Sequence, residues 1–281
     1  DYSHRPRIHS MPHWTLESID WDRFDPAAVN PDVLKAIKAS AMVEANGEDY
    51  GAYLCKVFHD DPEFQAVARE WALEELQHGQ ALGRWAALAD PTFDYEASFK
   101  RFTEGYQIPL DVERSVRGSR AGELIARCIV ETGTSTYSTA LADATEEPVL
   151  KAICRNIAAD EFRHYKLFYT YMKRYQAREN LGVWGRLKVV LGRVFESHDD
   201  ELAYAFYAAN GSDDGTYQRR RFSKEYARCA YPLYRRPHVE RGIAMALKAC
   251  GLNATGRLSR WLTNAACGFL RYHAKRLNAA S

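Results

Sequence analysis

The chain twice places a glutamate three residues before a histidine in near-identical surroundings, Glu75-Leu76-Gln77-His78 and Glu161-Phe162-Arg163-His164. Residues three apart share one helix face, so each pair can aim a carboxylate and an imidazole at one point. The pairs belong to a longer repeat. At an offset of 86, residues 62–78 match 148–164: Pro62/Pro148, Ala66/Ala152, Arg69/Arg155, Ala72/Ala158, Glu75/Glu161 and His78/His164 are identical, and Glu74/Asp160 keeps its charge. At an offset of 87, residues 42–54 match 129–141 through Val43/Val130, Glu44/Glu131, Tyr50/Tyr137 and Leu54/Leu141. Each copy therefore supplies one glutamate from a first helix and Glu-x-x-His from a second, 30 or 31 residues later.

Six side chains are singled out in this way: Glu44, Glu75, His78, Glu131, Glu161 and His164. They sit among apolar neighbours such as Met42, Val43, Ile129 and Val130. Four carboxylates turned into a core would cost many kcal/mol if unpaired. Two divalent cations would cancel them. Hard oxygen donors with one imidazole per metal suit iron or manganese, with positions left open for O2 or peroxide. A Glu from two helices and Glu-x-x-His from two others is the ligand pattern of dinuclear four-helix bundles. The bland alternative, solvated face charges with satisfied histidines, fits a single Glu-x-x-His better than a duplicated set. Glu48 shares the face of Glu44, but the repeat aligns it with Ser135, which favours Glu44. Glu123, two turns before Glu131, reads as structural. Glu74 and Asp160 could be ordinary exposed charges. Their matched placement suggests instead that each holds a metal-bound histidine of the other pair.

With these residues in place, the chain resembles the ferritin-like di-iron carboxylate superfamily. Its segments 74–82 and 160–169 look most like those of the soluble acyl-carrier-protein desaturases, and the likeness covers about 30–178. The resemblance implies an O2-dependent non-haem di-iron oxidoreductase with the six residues as metal ligands. It implies two iron ions (manganese being possible), an external ferredoxin-like electron donor, an organic or acyl substrate that could be carrier-bound, and a homodimer. Thr134 falls where these enzymes carry a threonine beside the oxygen-binding face, although close helix packing would equally explain a small residue. Asp160 falls where the family links a metal-bound histidine, here His78, to a tryptophan on the electron path. Trp14 and Trp21 are both candidates for that tryptophan, and both are also ordinary core residues. The first motif lacks the Asn-Arg of the familiar version, and nothing after 180 matches, which leaves the fatty-acyl substrate open. Two other readings share the bundle. One is a ligand-binding oxidase, peroxidase or catalase, and the other is non-enzymatic iron binding.

The elements that must position these groups read as helices throughout. Asn30-Pro31 opens one running to about Phe58, and Asp61-Pro62 a second to about Leu88. A crossover around Phe93 to Tyr106 precedes a third helix over about 118–144. Glu147-Pro148 opens a fourth, to about Arg178. Further helices follow at about 184–196, 199–210, 216–230, 237–250 and 256–277. The expected architecture is all-α: an N-terminal segment over 1–29, a ferritin-like four-helix bundle over 30–178 and a helical extension over 179–281. The last helix carries Leu258, Trp261, Leu262, Ala265, Phe269 and Leu270 with basic residues between, read as a core or packing helix rather than as a membrane-surface contact. Arg219, Arg220 and Arg221, with Arg235, Arg236 and Arg241, read as a solvated face or as a docking patch for an acidic partner.

The 281 residues carry 38 basic and 37 acidic side chains, less basic than a nucleic-acid coat would be. No apolar run approaches the roughly 18–20 residues of a membrane span, and residues 1–14 do not read as a signal peptide. The six cysteines contain no C-x-x-C pair, so no zinc knuckle, rubredoxin-type site or disulfide framework is expected. A reducing, cytoplasmic setting fits that pattern.

Overall fold

A computed structural model describes residues 14–196, 200–211 and 215–278. The expectations for residues 1–13 lie outside them. Among the described residues the protein is all-α, with no strand.

Helix α1 (Pro31–Ala45) starts where Asn30 accepts from the backbone N–H of Asp32 and Val33, with Pro31 in its first turn. The sequence suggests one helix through to Phe58. Instead the chain breaks at Asn46 and restarts as α2 (Gly47–Val57). The break has a packing reason. Gly47 lies so close to α3 that an added Cβ would sit 2.4 Å from Glu75 Cβ, and one on Gly51 would sit 2.7 Å from Ala72 Cβ. Helix α3 (Pro62–Ala89) is capped by Asp61, which accepts from Phe64 N–H. After the short α4 (Tyr95–Gly105), α5 (Arg120–Ala144) is capped by Ser119. The Glu179 carboxylate at the far end of α6 also accepts from the first two N–H groups of α5. Helix α6 (Pro148–Glu179) is capped by Glu147, a fully buried carboxylate that also receives the Trp85 indole N–H. It ends on Asn180 in the left-handed conformation.

Helices α1 and α2 pack on α3, α5 packs on α6, and α3 touches α6. Two apolar clusters form between these rods. One holds Ile37, Met42, Leu82, Trp85, Leu150 and Ile157. The other holds Leu54, Phe64, Trp71, Leu124, Phe168 and Met172. Every one of the four rods passes from one cluster to the other, and Glu44, Glu75, Glu131 and Glu161 fall in the polar layer between them.

Helices α7 (Val183–Glu196), α8 (Asp200–Asn210), α9 (Arg219–Ala230), α10 (Arg236–Ala249) and α11 (Arg257–Asn278) complete the described chain. Helices α7 and α10 pack on α5, and α8 and α9 pack on α1. Helix α11 packs on α9 and α10, as one half of its reading expected, but the core half fails for its largest residues. Leu258, Trp261, Ala265 and Phe269 are exposed, whereas Ser259, Thr263 and Cys267 face the protein. All six cysteines are free thiols, five of them buried.

Candidate metal centre

The six singled-out side chains meet. Ligand atoms of Glu44, Glu75, His78 and Glu161 lie within 4.8 Å of one another, as do those of Glu75, Glu131, Glu161 and His164, and each group could hold a metal ion. Glu75 and Glu161 belong to both groups, whereas Glu44 goes with His78 and Glu131 with His164. That is the arrangement of two neighbouring sites sharing two carboxylates. Glu48, the rival for the first-helix position, is exposed.

Both imidazoles turn Nδ1 toward the carboxylates. His78 Nδ1 is 3.1 Å from Glu161 Oε1 and 3.8 Å from Glu44 Oε2. His164 Nδ1 is 3.0 Å from Glu75 Oε1 and 3.6 Å from Glu131 Oε2. These atoms are near but not aligned to hydrogen-bond. Glu75 Oε1, Glu131 Oε1, Glu161 Oε1, His78 Nδ1 and His164 Nδ1 are all buried with no hydrogen-bond partner. Buried polar atoms are ordinarily satisfied. Five orphans converging on one spot, all of types that ligate metals, fit a cation pair.

The electrostatics carry the same imbalance. Burial, then the neighbouring Glu161 and Glu44 charges, push the Glu75 carboxyl well above its usual range. Burial and Glu161 do the same to Glu131. Burial would also raise Glu161, but the two facing imidazoles hold it well below. Burial would lower His78 and His164, yet the carboxylates around them raise both. Too many like charges share a space without solvent, which metal cations would relieve.

Outside this ring, Nε2–H of each histidine donates outward to a carboxylate of the other repeat. His78 Nε2 lies 3.1 Å from Asp160 Oδ2, and His164 Nε2 lies 2.7 Å from Glu74 Oε2. That is the cross-pairing expected of Glu74 and Asp160. It fixes the ring orientation that presents Nδ1 inward. Burial would raise Asp160, but hydrogen bonds from His78, Arg163 and Trp14 outweigh it and hold the carboxyl at about 2.

Of the two candidate tryptophans, Trp14 is the one on Asp160. Its indole N–H donates to Oδ2 at 2.7 Å, and its ring lies parallel to His78 with centroids 6.0 Å apart. Trp21 donates to the Leu16 carbonyl and lies under Arg84. Gln77, where the first motif departs from the familiar version, donates to the Trp14 carbonyl. Sequence reasoning missed Arg163. One of its nitrogens bonds both Asp160 Oδ1 at 2.6 Å and Glu74 Oε2 at 3.0 Å, tying the two outer carboxylates together. The only signal was its position three residues past Asp160 on the same helix face.

Thr134 donates to Glu161 Oε2 at 2.7 Å. It also lines a cavity of about 430 Å³ that reaches Glu44 and Glu75. The walls are mostly apolar or aromatic, including Val43, Val130, Tyr137, Tyr226, Tyr234 and Ile243. The repeat set half of that wall: Val43/Val130, Gly47/Thr134 and Tyr50/Tyr137 are equivalent positions, and all six face the space. The other half comes from α7 to α10, which no motif foreshadowed. Where the cavity meets a smaller polar pocket, Tyr50 donates to Glu201 and Arg127 lies over the Tyr50 ring. Glu123 accepts from Tyr53 and Ser115, the structural role its position suggested.

Compared with models of known protein families and with curated proteins, the chain matches none.

Proposed function

We propose that the protein is a ferritin-like, O2-dependent di-iron oxidoreductase of the desaturase or hydroxylase kind, acting on an unactivated C–H bond of an apolar organic molecule. The observation that carries this reading is the junction of cluster and cavity, where Glu44 and Glu75 belong to both and cavity-lining Thr134 hydrogen-bonds to Glu161 of the cluster. Cavities of roughly 300–1,000 Å³ with apolar walls and a few polar groups are what small organic ligands occupy. Peroxide breakdown or iron storage needs no such chamber beside the metals.

In this reading Glu44 and His78 would hold one metal and Glu131 and His164 the other, with Glu75 and Glu161 within reach of both. Iron bound there would supply the oxidising power, drawn from O2 and external electrons. The chain supplies the rest. Asp160 and Glu74 fix the two imidazoles, and Arg163 fixes Asp160 and Glu74. Trp14, Asp160 and His78 form a hydrogen-bonded line from the N-terminal segment to the centre, suited to delivery of electrons from a separate ferredoxin-like donor. The Thr134 hydroxyl stands between Glu161 and the cavity, placed to hold or pass a proton at Glu161 Oε2. The tyrosine-rich walls exclude water and orient the substrate, an acyl chain being one molecule of suitable shape.

The test is to load the protein anaerobically with Fe(II), add a reductant and then O2, and follow both O2 uptake and the organic molecules extracted from it. Loss of two hydrogens or gain of one oxygen by an extracted molecule supports the reading. Metal-loaded protein that retains no organic molecule and only decomposes peroxide defeats it.

A further inference from the structure

The near-neutral chain hides a charge division. Residues 181–281 hold 17 Lys and Arg against 8 Asp and Glu, whereas residues 1–180 hold 21 against 29. Helix α11 is the extreme case, with Arg257, Arg260, Arg271, Lys275 and Arg276 and no acidic residue. It packs on α9, α10 and the turn Tyr231–Leu233. The residues that pack, Ser259, Thr263 and Cys267, are small. The large ones face away: Leu258 is 47% exposed, Trp261 65%, Phe269 46% and Tyr272 61%. At 3.6 residues per turn these four fall within an arc of about 80°. Arg257, Arg260, Arg271 and Lys275 lie together along one side of that arc, between it and the packed face. Helix α7 repeats the theme on a smaller scale, with Trp184 85% and Leu191 53% exposed on a helix bearing Arg186, Lys188 and Arg193. Its Arg186 abuts Gly251, in the turn that leads into α11.

An aromatic and aliphatic stripe bordered by a row of cations suits one kind of partner. A second copy docking antiparallel by two-fold symmetry would set cationic row against cationic row, and a parallel one would leave both rows without an anionic partner. A nucleic acid would take the cations and leave the stripe in water. The interface of an anionic bilayer takes both: Trp and Tyr settle at headgroup depth, Leu and Phe below them, and Lys and Arg meet lipid phosphates. No helix among the described residues is long and apolar enough to cross a membrane. We propose that α11 lies in the surface of an anionic membrane and holds the protein there as a peripheral binder. This surface stands apart from the metal centre, so the two readings fail independently.

The experiment is flotation of the protein as purified with vesicles of pure phosphatidylcholine and of phosphatidylcholine mixed with phosphatidylglycerol. The protein should float with the anionic vesicles only, less so as salt rises. Each cation near the surface is worth roughly fivefold in binding, so Arg260→Gln with Arg271→Gln should weaken it roughly 25-fold. Trp261→Ser with Phe269→Ser should abolish flotation at an unchanged midpoint of thermal unfolding, which reports that the variant is folded. Wild-type protein that floats with neither vesicle overturns the proposal. So does a Trp261/Phe269 variant whose only change is conversion of a dimer to monomers, because a second copy is then the occupant.

Discussion

Two glycines beside the proposed metal centre should respond in opposite directions to the same change. A Cβ on Gly133, in the interior of α5, meets nothing within 4 Å, because the residue faces the cavity. A Cβ on Gly47 would lie 2.4 Å from Glu75 Cβ. In a helix interior Gly→Ala gains about 1 kcal/mol. Gly133→Ala should therefore raise the midpoint of thermal unfolding by about 2 °C in a chain of this size. Gly133→Leu should keep most of that gain, since the side chain enters open apolar space, while shrinking the room for substrate. Gly47 is the first residue of α2 and has little propensity to gain. Overpacking there costs about 1–3 kcal/mol, and the displaced group is a proposed shared ligand, so metal should be lost as well. Thermal unfolding with metal analysis on both alanine variants reads all of this. Destabilisation by Gly133→Ala would mean that the cavity does not exist as described. A stable, fully metallated Gly47→Ala would mean that α2 does not press on Glu75.

Glu44→Ala should remove bound metal and Glu48→Ala should leave it, by direct metal analysis; the reverse would show that the repeat misassigns the first-helix ligand. Asp160→Asn and Glu74→Gln should each lower metal affinity by about 10–100-fold without unfolding the chain, as changes to groups that orient ligating histidines do; competition with a chelator measures this. The Asp90 carboxyl is held at about 2 by its hydrogen bond to Lys38 and by Thr92. A lowered folded value stabilises above the ordinary value near 3.8 and is lost as pH falls toward about 2. Asp90→Asn should therefore cost up to about 1 kcal/mol at neutral pH, the group being partly exposed. In urea titrations the gap to wild type should close progressively below pH 4.

What the sequence revealed follows from what repeats. Duplication made the six inward groups legible, because chance does not place Glu44/Glu131, Glu75/Glu161 and His78/His164 in register twice. The caps at Asn30, Asp61 and Glu147 were equally plain, since Pro follows each directly. The break at Asn46 was not, because its cause is the approach of α3 to Gly47, a contact between residues distant in sequence. The choice of Trp14 over Trp21 likewise rests on a partner 146 positions away. The second half of the cavity wall comes from helices with no repeat to announce them. The exposed stripe on α11 has the same spacing as a core-facing one, and burial alone separates the two.

The central claim is that two metal ions fill the shared space between the paired Glu-x-x-His motifs. Titrating metal-free protein with Fe(II) under anaerobic conditions and counting bound ions per chain tests it most directly. Two ions per chain are expected, falling to one or none in Glu131→Ala and His164→Ala. Binding of none to wild type, or of two to both variants alike, would contradict it.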